Sequence, residues 1–158
     1  MALLRILSIC IAVYAAIDVT VALATPRQMY KVGETRCFDD WCITVTGARR
    51  TSGGLVEVGL QLFSRAKRIS QGERGTVAYL LDAQGRRYDV IPELSTVPFD
   101  ALLRPGQAVS ARRSFKVPAD QHRLDFVYEH EGFPIQLFII GEAGRWFHGP
   151  PITSLDLN

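Results

Sequence analysis

The chain has 158 residues, 47% of them hydrophobic and 22% charged, which is the composition of one globular domain with a single core and far from that of a disordered chain. A formal charge of +2 argues against nucleic acid as a partner. The basic clusters Arg49–Arg50, Arg65–Lys67–Arg68 and Arg112–Arg113 are short, separated, and form no acid-free stripe.

Met1–Ala24 reads as a targeting segment. Arg5 supplies a short basic start, Ile6–Ile17 is a mostly apolar, uncharged run, and Ala22-Leu23-Ala24 before Thr25-Pro26 forms an A-x-A-like site. Cleavage after Ala24 is the first expectation. A retained anchor is the alternative, because Ile6–Ala24 is just long enough to cross a bilayer, although Asp18 weighs against burial in hydrocarbon. Either way, Thr25 onward lies outside the cytoplasm, and any membrane contact is through this segment alone.

The next landmark is Arg36–Val45, R-C-F-D-D-W-C-I-T-V. With Cys10 in the targeting segment, Cys37 and Cys42 face an oxidising compartment. Along a straight strand their Cα atoms would stand roughly 16 Å apart at about 3.3 Å per residue, too far to bond. A disulfide therefore requires Phe38–Trp41 to fold back, and Asp39-Asp40 are turn-forming residues. Two buried thiols remain the alternative; a metal site lacks a second Cys or His pair. Asp39, Asp40 and Trp41 are candidate recognition residues, the acids through their oxygens and Trp41 through its ring. Turn chemistry and core packing with Ile43 and Val45 are the competing readings of the same residues.

Beyond this point the pattern is strand after strand. Ile43 and Val45 alternate with Thr44 and Thr46, and Ser52-Gly53-Gly54 marks a hairpin. In Leu55–Phe63, Val56, Val58, Leu60 and Leu62 share one face, an alternation no helix reproduces. Ser64–Gly75 is a polar, basic loop. Thr76–Leu81 and Arg86–Val90 flank the turn at Ala83–Gly85. Pro92 and Pro98 bracket an irregular stretch, and Arg104-Pro105-Gly106-Gln107 is a turn. Ala108–Val117 carries Val109, Phe115 and Val117 on one face, with Arg113 on that same face. Leu124, Phe126 and Tyr128 alternate; Ile135–Ile140 is a short apolar strand, and Gly141–Asn158 a closing tail with room for an edge strand. In that tail Arg145–His148 is an aromatic cluster that either seals the sandwich or forms an exposed patch.

No window past the targeting segment has the 3.6-residue apolar period of a helix. About seven to eight short strands with regular turn signals predict an all-β, antiparallel immunoglobulin-like sandwich. The expected organisation is 1–24 signal peptide or anchor, 25–29 linker and 30–158 sandwich domain. Ordered along the chain are Val32-Gly33, Asp40-Trp41-x-Ile43-x-Val45, Val56-x-Val58-x-Leu60, Leu81-Asp82-x-x-Gly85-x-x-Tyr88, Leu103-x-Pro105-Gly106-Gln107 and Phe115-x-Val117-Pro118. This succession, from about Tyr30 to Leu155, resembles a bacterial family of exported immunoglobulin-like domains of unknown function, in the immunoprotective-extracellular, telokin-like group. The resemblance implies a sandwich behind an export signal and supplies no catalytic residues. The chain departs from the family's lipoproteins, because Ile9 precedes Cys10 where a small residue is wanted.

Catalytic signatures are missing: no G-x-S-x-G, P-loop or G-x-G-x-x-G occurs, and His122, His130 and His148 have no metal-ligand spacing. No cofactor is expected. The expected function is a non-catalytic exported module that binds an envelope or extracellular protein or a surface component. A cation- or small-ligand-binding protein using Asp39, Asp40 or the Glu129–Glu131 region is the alternative, and a hydrolase with a dispersed site the third.

Overall fold

A computed structural model describes residues 2–130 and 149–157. These fall into two units. The first contains helix α1 (Ala2–Ala24), the residues to Gln28 and residues 149–151. Leu3–Ala24 is long and apolar enough to cross a membrane. In the same unit the Arg27 guanidinium donates to the Pro150 carbonyl, 2.8 Å away.

The second unit is a β-sandwich with nine strands among the described residues: β1 Met29–Tyr30, β2 Thr35–Phe38, β3 Trp41–Thr51, β4 Leu55–Ser64, β5 Thr76–Leu81, β6 Arg87–Asp89, β7 Ala108–Lys116, β8 Arg123–His130 and β9 Ile152–Asp156. One sheet runs β1-β9-β8-β5-β6 and the other β2-β3-β4-β7. Strand β4 keeps the alternation seen in its sequence: Val56, Val58, Leu60 and Leu62 are buried, while Glu57 and Gln61 are not. These four side chains meet Ala78, Leu80, Leu124, Phe126 and Leu155 of the facing sheet in one apolar core. Phe115 and Phe126, both fully buried, join the sheets edge to face at 6.2 Å.

Three details differ from the sequence expectation. The tail strand β9 is interior, pairing antiparallel with β8 and parallel with β1, so the closing segment is not an edge and the sheet is not wholly antiparallel. Strand β2 is an additional short strand, too brief to show an alternation of its own. In β5 and β8 consecutive residues are buried, because Tyr79 and Val127 belong to a second apolar cluster with Ile152 on the opposite face from Leu80 and Phe126. The expected strand Ile135–Ile140 and the cluster Arg145–His148 lie outside the described residues.

Candidate functional site

The segment between β6 and β7 builds the most distinctive feature of the sandwich. After β6, Pro92–Leu94 makes a single 3-10 turn and the chain then runs beside β7 as a strap. The Ile91 amide donates to Ser114 O (2.8 Å), the Thr96 amide to Arg112 O (3.0 Å), and the Arg112 amide returns a bond to Thr96 Oγ1 (3.0 Å). Ser114 Oγ donates to Leu94 O at 2.9 Å. Pro92 and Pro98 lack amide donors, so the strap makes isolated bridges to β7 and not a continuous ladder.

The strap's far end is fastened by the loop between β4 and β5. Gln71 and Leu103 exchange backbone bonds at 2.9 and 2.8 Å, and the Glu73 amide donates to Phe99 O at 2.9 Å. Gly72 has no Cβ for a reason of space: a Cβ there would stand 2.5 Å from Asp100 O.

Between strap, loop and the starts of β5 and β6 lies a cavity of about 860 Å³, within the range of small-molecule sites. Arg113 of β7 reaches into its lining and is only 4% exposed. Its Nη1 donates to Thr96 O (2.5 Å) and Arg112 O (3.0 Å), and its Nη2 to Val97 O (2.9 Å). The guanidinium lies 4.1 Å from the centre of the Phe99 ring. Among the described residues it has no ion pair. Burial lowers its pKa to about 10, so it is still a cation at neutral pH.

Val97, which holds one of those carbonyls, has φ 47°. A β-branched residue in that region is strained, and the strain aims a backbone oxygen at the guanidinium. Thr76, also in the lining, has a buried Oγ1 with no hydrogen-bond partner. The cavity therefore brings together a buried cation without an anion and a buried hydroxyl without a partner, both costly unless something supplies the missing contacts. On the rim Arg74 and Arg87 stand with Glu73, Asp89 and Asp100, so that with Arg113 the lining holds three basic and three acidic side chains, and Arg87 is paired to Asp89 at 2.6 Å.

The sequence candidates lie elsewhere. Cys37 and Cys42 are directly paired across β2 and β3 and form a disulfide, S–S 2.01 Å, with Cα atoms 4.0 Å apart. Asp39-Asp40 are the two turn residues of that hairpin; Asp39 takes φ 50°, which Asp tolerates, and both are exposed. Trp41 is 1% exposed. The structure thus places the acids and the ring on different sides of one turn and does not bring them into one surface. Trp41 instead meets Phe99 edge to face at 5.9 Å, behind the ring that carries Arg113. Among the described residues no three His, Cys, Asp or Glu side chains converge as metal ligands. Glu129 accepts from the Tyr79 hydroxyl at 3.0 Å. His122 is exposed, and the side chain of His130, Glu131 and His148 lie outside the described residues.

The motif Leu81-Asp82-x-x-Gly85-x-x-Tyr88 is a structural turn. Burial raises the Asp82 carboxyl, but bonds from the Arg86 amide, the Tyr88 hydroxyl, the Arg86 guanidinium and the Gln84 amide outweigh it and hold the group at about 2. Arg113 is the residue that sequence reasoning passed over. Its one signal was a charged residue on the apolar face of β7.

A β-sandwich with a lateral cavity bordered by a strap is the class these observations define. No family model and no curated protein matches the chain. Among solved structures it is similar to MPT63, a secreted protein from Mycobacterium tuberculosis (15% identity, 65% of this chain and 89% of that one, TM-score 0.47). It is also similar to the yjhA protein from Bacillus subtilis (18%, 82% and 100%, TM-score 0.48). A third is an uncharacterized β-sandwich protein from Clostridium difficile 630 (12%, 84% and 97%, TM-score 0.49). At these scores the fold assignment rests on the sheets themselves.

Proposed function

We propose that the chain is a non-catalytic, extracytoplasmic binding module whose ligand is a small molecule held in the Arg113 cavity. The observation that carries this reading is the cavity of about 860 Å³ with an ion-unpaired guanidinium in its lining. Helix α1 and the Cys37–Cys42 disulfide support export into an oxidising compartment, with 1–24 as signal or anchor and residues 30–158 as the exported domain. The cavity's described lining includes no His or Cys, and its Ser95 hydroxyl donates to Ile91 O within the strap, which favours binding over acyl-transfer chemistry. Affinity-selection mass spectrometry tests the reading. The full chain should retain small molecules from an envelope extract and lose them when Thr76→Phe fills the cavity. Retention of the same set by a folded Thr76→Phe variant would overturn it. Recognition of an envelope protein through Asp39 and Asp40 is a second reading, favoured by their exposure on a stapled hairpin.

A further inference from the structure

A guanidinium has five N–H donors. In Arg113 three are engaged by the carbonyls of Thr96, Arg112 and Val97. Nε–H and one Nη2–H remain, on nitrogens that share one carbon. Those three bonds account for how Arg113 fastens the strap. With the Phe99 ring they solvate the guanidinium by dipoles and a quadrupole, but no counter-ion neutralises it, which favours an anion on the side open to the cavity.

We propose that the cavity takes a small organic carboxylate, with its two oxygens on the remaining Arg113 donors and its apolar body against Phe99, Val97 and Val90. This deepens the binding reading above and rests on it. Two donors on adjacent nitrogens fit the two oxygens of a planar carboxylate side by side. The charge of the lining sets the ligand's valence. Arg74, Arg87 and Arg113 are matched in number by Glu73, Asp89 and Asp100, so the lining carries no net charge: a monoanion on Arg113 leaves a single excess negative charge in the cavity, whereas a dianion such as phosphate leaves two and is the costlier occupant. The ring of Phe99, already polarised by the cation 4.1 Å from its centre, and the prolines of the strap give the rest of the ligand an apolar wall. The Thr76 hydroxyl, unpartnered and buried behind the lining, becomes a further donor to the ligand when its side chain rotates about Cα–Cβ.

The test is a 15N titration of arginine Nε–H signals in the full chain, with benzoate and hexanoate as probes and benzyl alcohol and inorganic phosphate as controls. The Arg113 signal, assigned by its loss in Arg113→Lys, should shift with both carboxylates and with neither control. Benzoate affinity should fall at least about tenfold in Arg113→Lys, which keeps the charge but loses the fork. Because Arg113→Lys also loosens the strap, Thr76→Val is the second variant: it removes a buried unpaired hydroxyl, so its melting temperature should hold or rise while benzoate binds more weakly. A response to phosphate alone, or equal benzoate affinity in Arg113→Lys, would overturn the proposal. If the carboxylates leave the signal unmoved while Thr76→Phe still strips ligands from the chain, the carboxylate assignment falls and the binding module stands. If Thr76→Phe strips nothing either, both fall.

Discussion

Replacing both Cys37 and Cys42 with alanine isolates what the staple adds to the hairpin that holds Asp39 and Asp40. The bridge closes a loop of sequence separation 5, and the loop-closure entropy it removes from the denatured chain is worth about 2 kcal/mol at 25 °C. The folded state should lose little else. Thr35 to Phe38 stay paired to Trp41 to Thr44, and Trp41 is held a second time by pairing with Ser64 on β4. Against a typical total stability of about 5–15 kcal/mol, the variant stays folded. With a urea slope of about 2 kcal/mol per molar, the unfolding midpoint should fall by about 1 M, measured on the full chain by fluorescence and near-ultraviolet circular dichroism. An unchanged midpoint would show that the hairpin is already as restricted without the bond. A fall beyond about 2 M would show that the staple holds the Trp41 side of the core and not only the turn.

Gly72→Ala should force the loop and strap apart, since its Cβ would meet Asp100 O at 2.5 Å and Ala101 O at 2.9 Å. We expect a loss of about 1–3 kcal/mol and faster hydrogen exchange at the Leu103 amide, whose partner is Gln71 O; unchanged exchange would refute the fastening role. Asp82 predicts acid sensitivity. Its folded carboxyl sits at about 2 against an ordinary 3.8, so its stabilisation is complete above about pH 4 and is lost as pH falls towards 2. Asp82→Asn should flatten the decline of the urea midpoint across that window, and an identical slope in both proteins would contradict the assignment.

How much of this was legible in the sequence depended on how local each feature is. The alternation of Val56, Val58, Leu60 and Leu62 is a property of one strand, and it survived intact. The turn at Asp39-Asp40 was equally local: two turn-forming acids between two cysteines five residues apart. The place of β9 was not legible, because a five-residue strand looks the same whether it lies at an edge or between β1 and β8; only long-range pairing decides. The cavity was hidden for the same reason. Its walls come from the Glu73 region, the start of β5, the strap and β7, none of which announces a site alone. Arg113 on the apolar face of β7 was the one visible irregularity, and periodicity cannot say whether such a residue meets solvent, a carboxylate or, as here, three carbonyls and a ring. Trp41 was readable as core, but its position behind Phe99 was not.

A crystal structure of the full chain grown with benzoate tests the central claim most directly. The carboxylate is expected on Nε and Nη2 of Arg113, with the ring against Phe99 and the strap held in place along β7. Benzoate bound elsewhere, or an Arg113 paired instead with a carboxylate of the protein itself, would contradict it.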